Sequence, residues 1–109
     1  MKGAPTTYHL GFLLGPRINA AGRIGHARLA LELLMTDDAG RREALAERLH
    51  ALNAERQAIE AAVLADAAAL VAQRPASVEG PIVVAGEGWH PGVIGIVAGR
   101  LRERYRKPV

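Results

Sequence analysis

Apolar and polar positions follow a helical rhythm through most of the chain. From Asp38 to Gln73 there is no proline, and the only glycine is Gly40, in the first turn. Leu45, Leu49, Leu52, Ile59, Val63 and Leu70 fall on one stripe, with Arg56 and Asp66 occupying two of its positions. The pattern predicts one long helix, roughly 50 Å in length at ~1.5 Å per residue. A period of about 3.5 residues interrupted by charges is a narrow seam rather than a wide core face. So long a rod exceeds what a small domain covers, so it reads as a connector between two domains or as a dimerisation helix. Asn53, Glu55, Arg56 and Gln57 fall mid-rod, as a solvated face or an interdomain hydrogen-bonding patch.

Shorter elements flank this rod. Leu29 with Leu33, and Ala30 with Leu34, predict an amphipathic helix from His26 to Met35. Thr36-Asp37-Asp38 breaks it, and Thr36 or Asp37 would cap the helix that follows. Tyr8 to Leu14 is apolar and reads as a short buried segment, with His9 packed in a core. Arg74-Pro75-Ala76-Ser77 ends the long helix. Pro81-Ile82-Val83-Val84-Ala85 is an unbroken apolar run, the pattern of a buried strand, and Gly86 closes it. A helix follows from Pro91 to Tyr105, with Val93, Val97 and Leu101 on one face and Gly95 and Gly99 on another, where a neighbour could lie close. Lys107-Pro108-Val109 looks like entry to a second strand. A strand–helix–strand unit cut at its second strand reads as part of something larger.

Composition sharpens this picture. Four aromatic residues and a 50% hydrophobic content predict an aliphatic, alanine-rich core. The absence of cysteine excludes disulfides and thiolate metal sites. No apolar run is long enough to span a bilayer, and the N-terminus lacks a signal-peptide core, which reads as a soluble, cytoplasmic chain with no membrane partner. Residues 1–30 carry four cations and no acid, residues 31–80 nine acids against five arginines, and residues 81–109 five cations against two acids. Basic ends around an acidic middle suit an anionic partner at the ends.

Two stretches carry candidate chemistry. In Gly15-Pro16-Arg17-Ile18-Asn19-Ala20-Ala21-Gly22-Arg23-Ile24-Gly25, Arg17, Asn19 and Arg23 are the side chains with hydrogen-bonding reach, on a backbone of little bulk. Two guanidiniums beside an amide suit a phosphate or carboxylate; a tight helical corner with solvated arginines would have the same spacing. In Glu87-Gly88-Trp89-His90-Pro91-Gly92, the strand–loop–helix pattern leaves N–H groups of Gly92, Val93 and Ile94 at a helix start, an anion site by geometry and dipole. Trp89 offers a stacking face for a base or sugar. His90 could donate to a phosphate or act as acid or base; alternatively Trp89 anchors a core and His90 caps the helix. Asp37-Asp38 is the only adjacent acidic pair, and the four histidines lack metal-ligand spacing. The residues alone describe an anion-binding, non-catalytic piece with no metal site.

Both stretches resemble one family. Gly15 to Gly25, together with Trp89-His90-Pro91-Gly92-Val93-Ile94-Gly95-Ile96-Val97-Ala98-Gly99-Arg100-Leu101, is similar to signatures of RecJ, the single-stranded-DNA-specific exonucleases of the DHH phosphoesterase superfamily. Leu33 to Asp38 and Leu52 to Arg56 match as well, so the resemblance runs from about Leu10 to Val109. It implies an α/β fold, mostly α in this stretch. Residues 1–36 would be the end of a DHH catalytic domain, 37–75 a connector helix, and 80–109 the opening strand–helix unit of a DHHA1 domain, with single-stranded DNA in the cleft between the domains. It implies a parent that is a manganese- or magnesium-dependent 5′-to-3′ exonuclease of DNA repair and recombination. The metal ligands, including the Asp-His-His run, would lie in the remainder of that polypeptide, and no catalytic residue in this stretch. Arg17, Asn19, Arg23, Trp89 and His90 are the DNA- or cleft-facing candidates, with Gly92 and Val93 at the anion site. The alternatives are a small non-catalytic nucleic-acid-binding or dimerising helical module, and a relative that hydrolyses small nucleotides; the Arg-Ile-Asn-Ala-Ala-Gly-Arg motif speaks against the latter.

Overall fold

The computed structural model describes residues 3–75 and 79–109; Ala76 and Ser77 of the expected helix stop lie outside the described residues. The chain is helical throughout its regular structure. A π-helical stretch, His9–Leu14, leads into α1 (Gly15–Ile24), followed by α2 (Arg28–Met35), α3 (Ala39–Ala72) and α4 (Pro91–Tyr105). The long helix thus forms within a residue of its expected ends, and so does α4. Two compact units divide the chain, residues 1–56 and 57–109, and the division falls inside α3.

The first unit is organised by small residues. Ala20 and Ala21 of α1 are fully buried against Ala30 of α2 and Leu49 and Leu52 of α3, with Ile18, Ile24, Leu29 and Leu33 around them. Two alanines opposite two leucines let the helices approach closely. Gly25 extends the same contact: a Cβ there would lie 3.2 Å from Leu52 Cδ1 and 3.3 Å from the Ala21 carbonyl oxygen. The low bulk of the first motif therefore serves α3 at Ala20, Ala21 and Gly25.

Three expectations for this unit are corrected. Tyr8 to Leu14 is not buried; it continues α1 backwards, and Tyr8, Leu10 and Phe12 are exposed, with the Tyr8 and Phe12 rings stacked at 5.1 Å. The alanine face of α1 already fills the contact with α3, and no described residue covers the preceding turns. His9 is no core residue: its Nδ1 accepts from the Thr6 N–H at 3.0 Å, at the start of the helical run. The cap of α3 is Asp38 rather than Thr36 or Asp37. Asp38 Oδ1 accepts from the Arg41 N–H at 2.6 Å, the reach of a side chain three residues ahead, whereas Thr36 Oγ1 accepts from Asp38 N at 3.3 Å.

In the second unit α3 buries Glu60, Val63, Ala67 and Val71, and α4 buries Val93, Val97 and Leu101 beside Ile82. The stripe drifts from the expected positions: Leu70 is 37% exposed, while Glu60, Ala67 and Val71 are buried one residue beyond Ile59, Asp66 and Leu70. A straight α-helix turns once in about 3.6 residues, so a seam read at 3.5 falls behind along a long rod.

The expected strands at 81–85 and 107–109 do not form; the described residues contain no strand. The segments meet at one backbone hydrogen bond, Ile82 N–H to the Pro108 carbonyl at 2.8 Å. A ladder needs successive bonds, and Val83 is 82% exposed beside buried Ile82. The α/β expectation gives way, over these residues, to a mostly helical fold. Nor, among the described residues, does a neighbour approach Gly95 or Gly99, since a Cβ on either would meet nothing within 4 Å.

Two predictions follow from this packing. Leu49 is 1% exposed and Leu34 69%, so Leu49→Ala is expected to cost about 2–5 kcal/mol in urea unfolding followed by circular dichroism, and Leu34→Ala less than about 0.5 kcal/mol; equal effects would reject the assigned core. Separately, the Arg41 guanidinium, hydrogen-bonded to Glu32 at 2.6 Å, holds the Glu32 carboxyl below the usual carboxylate range. That pair stabilises the fold above the ordinary glutamate value of about 4.3 and loses its contribution as pH falls through the lowered one. Both side chains are open to solvent, so the effect is small. The melting temperatures of the wild type and Glu32→Gln should differ at neutral pH and converge in acid.

Candidate nucleic-acid interface

The first motif forms α1, with Pro16 in its first turn. Its three candidates do not share a face. At ~100° per residue, Asn19 and Arg23 lie one turn apart on an exposed face, and Arg17 lies well around the helix from them. Half-buried Arg17 turns towards α3, where its Nε donates to His50 Nδ1 at 3.2 Å. Its NH1 group donates to the Leu13 carbonyl. This guanidinium is held at both ends, and the imidazole of His50 beside it is a second polar group that sequence reading missed. Nothing in the pattern signals His50, which lies 33 residues from Arg17 and off the apolar stripe.

Gly22 adjoins Asn19 and Arg23. A Cβ at Gly22 would meet nothing within 4 Å, so packing among the described residues gives no reason for glycine there. Glycine inside a helix costs roughly 0.5–1 kcal/mol relative to alanine. The face formed by Asn19, Gly22 and Arg23 is polar, cationic and low in relief, which suits close approach of a phosphate backbone.

The second motif lies in the other unit. Trp89 is half-buried, and one face of its indole lies over the Gly86 backbone, where a Cβ would overlap the ring. Gly86 is therefore fixed by Trp89. The indole also borders an open apolar groove of about 510 Å³ whose lining includes Ile82, Val84, Ile94 and Leu101. His90 caps α4: its Nδ1 accepts from the Gly92 N–H at 2.9 Å, and its carbonyl accepts from the Val93 N–H at 3.0 Å. The N–H groups of Gly92 and Val93, expected to await an anion, are engaged by His90. An anion binding there would compete with a neutral imidazole acceptor and with a backbone carbonyl. Of the two roles open to His90, the geometry displays the capping one.

Asn53 is 6% exposed rather than solvated, and Arg56 NH2 donates to its Oδ1 at 3.1 Å. Among the described residues no group of three or more histidine or acidic side chains could hold a metal ion, so the residues present do not fit a divalent-metal centre. No described helix is long and apolar enough to cross a membrane.

No protein-family model matches the chain. Curated relatives do. The single-stranded-DNA-specific exonuclease RecJ of Thermus thermophilus is 46% identical over 100 residues, covering 92% of this chain and 14% of that protein. The RecJ proteins of Bacillus subtilis and Escherichia coli are 43% and 40% identical, across 91% and 92% of this chain and 12% and 18% of their own lengths. Among solved structures, RecJ from Thermus thermophilus in complex with Mg2+ superposes with a TM-score of 0.80 at 44% identity, covering 93% of this chain and 16% of that one. An exonuclease RecJ bound to manganese superposes at 0.78 and 43% identity, with 94% and 26% coverage. The chain thus spans between about an eighth and a fifth of the length of these curated relatives. Across nearly all of its residues, this chain is similar to one segment of the RecJ single-stranded-DNA-specific exonucleases.

Proposed function

We propose that this chain supplies cleft and DNA-binding surface to a RecJ-type single-stranded-DNA-specific 5′-to-3′ exonuclease acting in cytoplasmic DNA repair and recombination. In this reading residues 1–36 close a DHH-like catalytic domain, residues 37–75 are its connector helix, and residues 80–109 open a DHHA1-like α/β domain. The phosphodiester chemistry, with its Mn2+ or Mg2+, belongs to residues of the enzyme outside this chain. The observation that carries the reading is identity of 40–46% to RecJ proteins spread over about nine-tenths of the chain.

Within the proposal, Asn19 and Arg23 face the strand across Gly22, and the Arg17–His50 pair presents a second polar edge of the same unit. Trp89 offers its outer face to a base. His90 holds the start of α4, and an anion at Gly92 and Val93 engages only by displacing that cap.

Degradation of 5′-labelled single-stranded DNA in Mn2+ tests the reading. A RecJ-length protein carrying this segment should degrade the strand, and the 109-residue chain should leave it intact; degradation by the short chain would overturn the assignment of the metal site elsewhere. In the long protein, Asn19→Ala with Arg23→Ala should weaken single-strand binding, the Arg23 guanidinium alone supplying a charge-assisted contact of roughly 1.5–3 kcal/mol. Unchanged single-strand binding and turnover in a folded variant would reject a DNA-facing role for the motif. Gly22→Ala should do two opposite things: raise unfolding stability of the 109-residue chain by about 0.5–1 kcal/mol and weaken single-strand binding in the long protein. A gain in both would show that no partner approaches this face.

A further inference from the structure

Glu60 is the buried acid of the second unit, 4% exposed on α3. Among the partners of its carboxylate is Arg100 of α4, whose Nε lies 2.5 Å from Glu60 Oε1. The two ends of this bridge differ: the Glu60 side chain is 5% exposed and that of Arg100 58%. The arginine stem lies at the surface and its head reaches inward. Arg100 is part of the second motif. Its geometry is that of an internal anchor.

The mechanical reason for such an anchor lies in what else fixes α4. Its buried residues are Val93, Val97 and Leu101, a stripe of aliphatic side chains on one helix face. Apolar burial is non-directional, so a valine and leucine stripe tolerates small rotations and slides of the helix. A charge-assisted hydrogen bond to a buried carboxylate is directional and short, and it selects one rotation and one register. Arg100 applies it about two and a half turns from the start of α4, and the same rigid helix is capped by His90, whose ring is bonded to the Gly92 N–H. Next to His90 is Trp89, seated over Gly86. A shift of α4 on α3 is therefore carried to the loop that holds both aromatic candidates.

We propose that Glu60 and Arg100 form a positioning pair: the bridge sets the register of α4 on the second half of α3, and through it places the Trp89–His90 loop for single-stranded DNA. The pair touches no nucleotide itself. The DNA part of this assignment rests on the proposed function; the placement of the loop does not.

The chain contains a single tryptophan, so its intrinsic fluorescence reports Trp89 alone. Glu60→Gln, Arg100→Gln, the double variant and Arg100→Lys are compared with the unaltered 109-residue chain, with far-ultraviolet circular dichroism as the check on helix content. Binding of a labelled oligo-dT strand is measured with the same substitutions in the RecJ-length protein carrying this segment. Glu60→Gln and Arg100→Gln should each shift the Trp89 emission and weaken binding by a similar factor of about ten, and the double variant should be no weaker than either single one. Arg100→Lys keeps a cation but not the Nε geometry, so it should fold, shift the emission less and bind at an intermediate strength; it decides the matter if the glutamine variants unfold. Weakened binding in Arg100→Gln with unchanged binding in Glu60→Gln would make Arg100 a DNA contact and overturn the pair. So would an unmoved Trp89 emission in every folded variant. Absence of binding by the unaltered long protein would count against the proposed function and its DNA clause, while the emission shifts would still decide whether the bridge places the loop.

Discussion

A helix of 34 residues cannot cover its own apolar positions. That constraint shapes both units. In the first, α1 and α2 bring alanines to Leu49 and Leu52; in the second, α4 brings valines and a leucine to the half of α3 that buries Val63, Ala67 and Val71. The covering elements are short, 10, 8 and 15 residues, and short helices in water owe most of their stability to tertiary packing. Each therefore depends on α3 as much as α3 depends on it. The two chemistries used for cover are different. Close approach through alanine and Gly25 needs no polar group, whereas the second unit includes a buried carboxylate that has to be answered by a cation.

Helical structure was legible because its signal is local. The spacing of apolar residues and the positions of proline and glycine placed α3 and α4 within a residue of their observed ends, and they located α2 nearly as well. The strands were not, although Ile82, Val83 and Val84 have the composition of one, because a strand is defined by bonds to another segment and here that segment offers one. Composition describes a tendency; the ladder is non-local. The fate of Tyr8–Leu14 was illegible for a related reason. An apolar run predicts burial only if something is available to bury it, and the alanine face of α1 had already taken the place on α3. At the level of single residues, the 3.5-residue seam found Val63 but missed Glu60, Ala67 and Val71 by one position each, and that single step hid Glu60. Stepping four residues on from Arg56 would have found it.

The candidate residues were legible as a set but not in their roles. A motif rich in arginine, histidine and glycine suggests groups turned outward to a ligand, yet several of these donors and acceptors bond within the chain. Arg17 donates to His50 and Leu13, His90 accepts from Gly92, and Arg100 reaches Glu60. Glycines divide in the same way. Gly25 and Gly86 are required by Leu52 and Trp89, while Gly22 stands in open space. Internal bonds of this kind have a function in a binding surface, because a side chain already fixed loses less rotamer entropy when a ligand arrives. The motif is then best understood as two layers. One holds helices and loops in place, and the other includes Gly22, for which packing among the described residues gives no reason.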